Sequence, residues 1–199
     1  MTKTLTLLVS CISLFSYGQN AKPNQIPKKI FSNVEIEFGV NNEVTYDYDR
    51  YSGDRLISGA TTDLDNKTSF GLLYNINYPI FNKLTVGAVG GIQYQSQLKI
   101  SALKLGGILR YHFRNYESIN INLMTAYNIA LSDNITSEMG NVRFGIQFPI
   151  TRTDAFNVNL NVFSDYNFYG YKRIVLNEAF ERPSNVIYRS FGFSLGVQF

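Results

Sequence analysis

Tryptophan is absent from the 199-residue chain, cysteine and histidine each occur once, and only 17% of residues are charged. One His and one Cys cannot supply the three or four ligands of a transition-metal site, and a lone Cys cannot close an intramolecular disulfide. Past about residue 18 no run approaches the ~18 uninterrupted apolar residues of a membrane-crossing helix, so a helical membrane protein is excluded. The formal charge of +3 is carried by scattered Lys and Arg, which gives no basic stripe and no case for nucleic acid. What is present is 45% hydrophobic and 15% aromatic residues with 15 Gly, a balance that excludes a disordered chain. The mean hydropathy of -0.09 leaves a soluble domain and a strand-crossing membrane domain both open.

The first residues read as an export address. Lys3 precedes an apolar run from Leu5 to Phe15, and Gly18 offers a small residue for cleavage, which gives a signal peptide over residues 1–18. Leu8-Val9-Ser10-Cys11 also fits a lipobox that would place a lipid on Cys11, but the apolar run continues unbroken through Ile12 to Phe15 and favours cleavage near Gly18. Residues 19–32 are a polar, proline-containing lead-in, too short to fold alone.

From Asn33 onward the pattern has period two. Val34, Ile36, Phe38 and Val40 alternate with Glu35, Glu37, Gly39 and Asn41, which a strand places on opposite faces. Seven further runs behave alike, built on Phe70 to Tyr78, Leu84 to Tyr94, Leu103 to Phe113, Ile119 to Ile129, Val142 to Phe148, Phe156 to Val162, and Phe191 to Phe199. Eight strands of roughly ten residues with a continuous apolar face match tilted transmembrane strands. The second face decides the solvent. A soluble sandwich shows Lys and Glu to water, whereas here that parity is mainly Gly, Asn, Ser and Gln, which suits a crowded polar lumen. Closure is required because an open edge in hydrocarbon leaves backbone groups unpaired.

The connections alternate in length. PIFNK, RNYES and ITRTD are tight, while TYDYDRYSGDRLISGATTDLDNK, SDNITSEMG and the stretch around YGYKRIVLNEAFERPSN are long and polar; only the connection near Ser96 to Ser101 is short on that second side. The expectation is therefore an all-β, eight-stranded antiparallel transmembrane β-barrel over residues 33–199, with short periplasmic turns and longer extracellular loops.

Over residues 33 to 199 the chain resembles the small eight-stranded outer-membrane barrels of Gram-negative bacteria, the OmpA-transmembrane and OmpX type. The most specific piece is the last strand, where Phe191, Phe193, Leu195, Val197 and the terminal Phe199 resemble the assembly signal read by the barrel-insertion machinery. The resemblance implies the fold and an outer-membrane location among lipid and lipopolysaccharide. It implies no single activity, because such barrels serve as adhesins, anchors, narrow channels and lipid-modifying enzymes.

Eight strands enclose barely enough room for their own side chains, and Glu35, Glu37, Lys104, Arg110, His112 and Arg143 all point inward by parity. A charge in so narrow a space needs a partner, so Glu35 or Glu37 is expected to pair with Arg110 and plug the lumen; separate hydration of each group is the alternative. His112 lies low on its strand with no Ser beside it, which argues for a satisfied lumen histidine and against catalysis. No metal or cofactor is expected. Asp47, Asp49 and Asp54 offer weak calcium ligands, though a solvated acidic loop is the commoner case.

Rings near strand ends, such as Tyr78, Tyr111 and Phe156 at one end and Tyr94, Tyr127 and Tyr166 at the other, suit two interfacial girdles. Lys172, Arg173 and Arg189 suit lipopolysaccharide phosphates or a solvated rim. Tyr46, Tyr48 and Tyr51, interleaved with Asp, have a composition suited to an extracellular ligand. Tyr46 and Tyr48 also keep the even parity of Val34 to Val40, so a strand running on would put both rings in the outer girdle. Ile174, Val175 and Leu176 should be packed or bound. The sequence favours a non-enzymatic outer-membrane barrel acting through surface loops in binding, adhesion or envelope integrity. A narrow channel or small-solute porin is the alternative, and a lipopolysaccharide-modifying enzyme the third.

Overall fold

The computed structural model describes residues 30–199 apart from 54, 116, 137–138, 154 and 177–180. The signal peptide, Cys11 and most of the lead-in lie outside these residues, as does Asp54. The strands are β1 (Phe31–Ser52), β2 (Arg55–Leu64), β3 (Thr68–Phe81), β4 (Leu84–Gln95), β5 (Ile100–His112), β6 (Asn120–Ala130), β7 (Met139–Arg152), β8 (Asn157–Gly170) and β9 (Glu181–Gln198). No helix occurs among the described residues. The first strand starts at Phe31, two residues earlier than expected.

Strands β1 and β3 to β9 pair antiparallel in chain order, and β9 returns to β1 to close a ring of eight. At the seam, Ser32 and Phe199 exchange both backbone bonds, at 2.9 and 3.0 Å. Closure leaves no ring strand with an exposed edge, the condition for crossing hydrocarbon. Outward residues of the ring, including Ile36, Leu72, Ile92, Leu109, Phe144 and Leu195, are exposed and apolar. Such a belt is far larger than a water-facing monomer tolerates and is the surface that lipid covers.

Among the described residues, the connecting segments 82–83, 113–115, 117–119, 153 and 155–156 lie at one end with Phe199, here the turn end; 96–99, 131–136 and 171–176 lie at the other, the loop end. β1 runs past the ring at the loop end. The polar segment read as the first long loop is instead a strand hairpin in which Val44 to Ser52 pair with Arg55 to Leu64, so β2 is a ninth strand outside the ring. Gly53 turns the hairpin at φ +60°, a left-handed conformation that glycine adopts without strain.

One irregularity reorganises the interior. Asn41 pairs with Ser190 but Glu43 with Arg189, so Asn42 is an extra residue on β1. This β-bulge reverses parity: odd residues from Asn33 to Asn41 face inward, while beyond it Val44, Tyr46 and Tyr48 do. Inward glycines make room for longer neighbours. A Cβ on Gly71 would lie 2.6 Å from Glu37 Oε2, and one on Gly145 would lie 2.7 Å from Oδ1 of both Asn122 and Asn161.

Candidate functional site in the barrel lumen

The turn-end half of the lumen is organised around Glu35 and Arg110, both buried. Glu35 accepts hydrogen bonds from Asn33 Nδ2 at 2.7 Å, Asn75 Nδ2 at 3.1 Å and Ser194 Oγ at 2.8 Å, and Arg110 Nη2 lies 3.5 Å from its Oε1. Arg110 also donates to Asn77 Oδ1 and, at 3.1 Å, to Asn75 Oδ1. His112 Nε2 lies 3.0 Å from Thr85 Oγ1, with the donor set by the tautomer. The expected Glu35–Arg110 pair is therefore present. Glu37 is not part of it.

Glu37 faces Arg143, which donates through Nη1 to Oε1 and through Nη2 at 3.1 Å to Oε2, a two-pronged contact that fixes the guanidinium plane. The same guanidinium reaches Asp165, with Nε 3.3 Å from Oδ1 and Nη2 3.0 Å from Oδ2, and its Cζ lies 3.9 Å from the centre of the Phe163 ring. Lys104 Nζ stands 3.6 Å from Asp165 Oδ2, and Asn141, Asn167 and Gln93 donate to the same carboxylate. Two cations and two anions thus balance in one buried layer drawn from β1, β5, β7 and β8. Balance is what permits them there, since an unpaired charge in this space would carry its full desolvation cost.

The sequence reading missed Asp165. The parity of Asn157, Asn159 and Asn161 carries on to it, but Phe163 interrupts the polar series one step earlier. That reading also missed a small apolar patch inside the ring, Leu73, Val89, Ile108 and Met124.

Above the ion-paired layer the interior turns aromatic and apolar. Tyr46, Tyr169 and Tyr188 are 0% exposed and Tyr48 is 4% exposed, packed with Tyr171, Ile100, Ile135, Val44 and Val186. The Tyr46 and Tyr48 rings stack at 5.4 Å, and Tyr46 meets Tyr171 edge-on at 6.1 Å. This corrects the placement of both rings in the outer girdle, because the bulge at Asn42 turns them inward. It also removes them from the set of surface-presented residues. Tyr51 alone of the three remains half-buried near the hairpin tip, with Arg182 4.1 Å from its ring centre.

Buried Glu181 ties this cap to the loop end. Its carboxylate accepts from Tyr46 Oη at 2.7 Å and from the backbone N–H of Val175 at 2.9 Å and Leu176 at 3.2 Å. Burial first, and the bond to Glu181 second, push the Tyr46 hydroxyl well above the usual tyrosine range. Val175 and Leu176 pack on the cap while Ile174 is exposed, so that apolar segment is packed in two of its three residues.

Outside, Arg189 Nη1 is 2.8 Å from both oxygens of Glu43, which engages the charge that was a candidate for lipid phosphate; Lys172 and Arg173 are exposed. Phe191, Phe193, Leu195, Val197 and Phe199 all project from the outer face.

The ring closure, the apolar outer belt and the polar interior together define a β-barrel of the outer-membrane type. Among solved structures it is similar to the outer membrane protein AlkL determined in lipid bilayers, at 13% identity over 92% of this chain and 95% of that one, TM-score 0.50. It is also similar to the outer membrane protein OprG from Pseudomonas aeruginosa, at 12% identity over 86% of this chain and 97% of that one, TM-score 0.47. At such identity the likeness to AlkL establishes the fold, and it supports a small outer-membrane barrel without singling out the OmpA or OmpX type. No family model matches the sequence, and no curated protein is similar to it.

Proposed function

We propose that the protein is a narrow outer-membrane channel for small polar solutes, held closed by the Arg143 layer and the tyrosine cap. The observation that carries this reading is the surplus of polar groups in the lumen. A barrel that only anchors surface loops needs interior groups that satisfy one another, yet buried amide oxygens of Asn33, Asn120, Asn122, Asn128, Asn141 and Gln147 have no hydrogen-bond partner among the described residues. Leaving such groups unmet costs about 1–3 kcal/mol each, so they call for water or a polar visitor. The inward turn of Tyr46 and Tyr48 weakens the competing reading of loop-borne recognition, since it leaves Tyr51 alone of the three near the surface. In this reading the chain is exported by its signal peptide, the turn end faces the periplasm, and His112 belongs to the lumen network and to no reaction. Exposed Lys172 and Arg173 contact lipopolysaccharide, and the barrel-insertion machinery reads the strand that ends at Phe199.

The test is conductance in planar bilayers. The double variant Glu37→Ser/Arg143→Ser removes a cation and an anion together, leaves Lys104 paired with Asp165, and is expected to raise open probability well above that of the parent. Equal silence from both proteins would refute the channel.

A further inference from the structure

One inward residue stands apart from the polar network of the lumen. From Asn159 to Asn167 the inward positions of β8 hold Asn159, Asn161, Phe163, Asp165 and Asn167, and of these Phe163, 3% exposed, is the one apolar member. It belongs to neither apolar cluster of the interior. The residues directly opposite it on both flanking strands are glycines, Gly145 on β7 and Gly192 on β9, and Gly39 on β1 stands opposite Gly192 in turn. A Cβ on Gly192 would lie 2.6 Å from Phe163 Cζ and 2.7 Å from Cε2, so the far end of the ring rests over Gly192 and the ring lies down along the barrel wall.

What lies on that ring is the guanidinium of Arg143, with Cζ 3.9 Å from the ring centre. Two edges of the same guanidinium are taken: Nη1 and Nη2 donate to Glu37, while Nε and Nη2 donate to Asp165. Asp165 is the direct cross-strand partner of Arg143, whereas Glu37 stands on β1, with β8 and β9 between. Meeting both carboxylates with one rigid plane requires that plane to be held, because turning it toward either carboxylate breaks the prongs on the other. A phenyl ring offers no conventional hydrogen bond to the amides around it. It does offer a base plate to a flat cation, a contact that gains strength where water is excluded.

We infer that Phe163, lodged over Gly192, is the positioning residue that sets the plane of Arg143 and so keeps its contact with Glu37 across the lumen. Without the ring, Arg143 stays with neighbouring Asp165, and the more distant Glu37 is released first. In the proposed channel that release opens the layer, so the bearing of Phe163 on gating rests on the channel reading. Its hold on Arg143 does not, and can be measured apart from conduction.

The test places phenylalanines carrying one, two and three ring fluorines at position 163 of the full-length barrel in phospholipid nanodiscs. Fluorine draws charge from the ring face with little change of shape, so only a ring that acts through its face responds. Exchange of the Arg143 Nε–H with water, followed by nitrogen-15 NMR, is expected to rise stepwise to about tenfold with three fluorines. The Arg110 Nε–H, whose guanidinium is held by Glu35 and amide oxygens, is expected to stay constant. Phe163→Leu should speed Arg143 exchange at least as much. A response to Leu with none to fluorine leaves the ring as packing and overturns the assignment, as does no response to either. Should the Leu variant fail to insert, the near-isosteric fluorine series carries the test by itself. Gly192 is left unchanged, because a Cβ there would also strike the backbone oxygen of Phe38. Planar-bilayer recording separates the two ideas: open probability should rise in the same order as exchange, and graded exchange in barrels that all stay silent refutes the channel and leaves the role of Phe163.

Discussion

Arg143 holds two carboxylates at once, so its loss should exceed that of an ordinary ion pair. Arg143→Met leaves Glu37 and Asp165 buried with Lys104 as their nearest cation, and is expected to cost about 3–5 kcal/mol in denaturant unfolding. The pairing itself is readable by double-mutant cycles. Glu35→Gln with Arg110→Gln should show coupling of about 0.5–3 kcal/mol, whereas Glu37→Gln with Arg110→Gln should show close to none. Tyr46→Phe removes a hydrogen bond to a carboxylate and should cost about 1.5–3 kcal/mol. It should also change the alkaline limb of stability. The folded Tyr46 hydroxyl keeps its proton above pH ~10 while the unfolded one loses it, so stability falls as pH rises past that point; the Phe variant should show a flatter decline in alkaline melting curves. At this scale the charged lumen was legible in advance. Glu35, Glu37, Lys104, Arg110, His112 and Arg143 stand on the small polar parity of apolar strands, and all six are buried inside. Of their partners only the Glu35–Arg110 pair was legible; that Glu37 meets Arg143, and Arg143 meets Asp165, was not, because parity gives a face and not a height or an opposing strand.

The strands inside the membrane announce themselves by alternation against lipid, and each expected run coincides with a ring strand, with Phe113, Ile119, Phe156 and Phe199 one residue past a strand end. The hairpin of β1 and β2 does not, since beyond the hydrocarbon its outer face meets water. Thr61 donates to Asp47 at 2.8 Å across that pair, a polar strand contact that in sequence looks like a loop. The bulge at Asn42 leaves no compositional mark either, yet it sends Tyr46 and Tyr48 to the opposite face. Deleting Asn42 should restore uninterrupted parity, turn both rings outward and strip the cap of its stacked pair. The expected result is a hairpin cleaved faster by protease in a barrel that still migrates as heat-modifiable on gels; unchanged protection would contradict the role given to the bulge. Removing Phe199 takes away two backbone bonds at the seam, and a smaller heat-modifiable fraction is expected.

Taken whole, the molecule is a closed ring whose near-zero mean hydropathy is the average of opposites: an apolar belt outside, an amide-rich lumen inside, and polar strands beyond the membrane. The lumen is blocked twice, by the balanced layer around Arg143 and by the tyrosine cap tied through Glu181 to Val175 and Leu176. On both sides of the Arg143 layer stand buried amide oxygens that no described residue satisfies, the feature on which the proposed channel rests. Single-channel recording of the parent and of Glu37→Ser/Arg143→Ser in planar bilayers tests this most directly. Rare, small openings in the parent and frequent openings in the variant are the predicted result. A large, steady conductance in the parent, or a variant as silent as the parent, would contradict it.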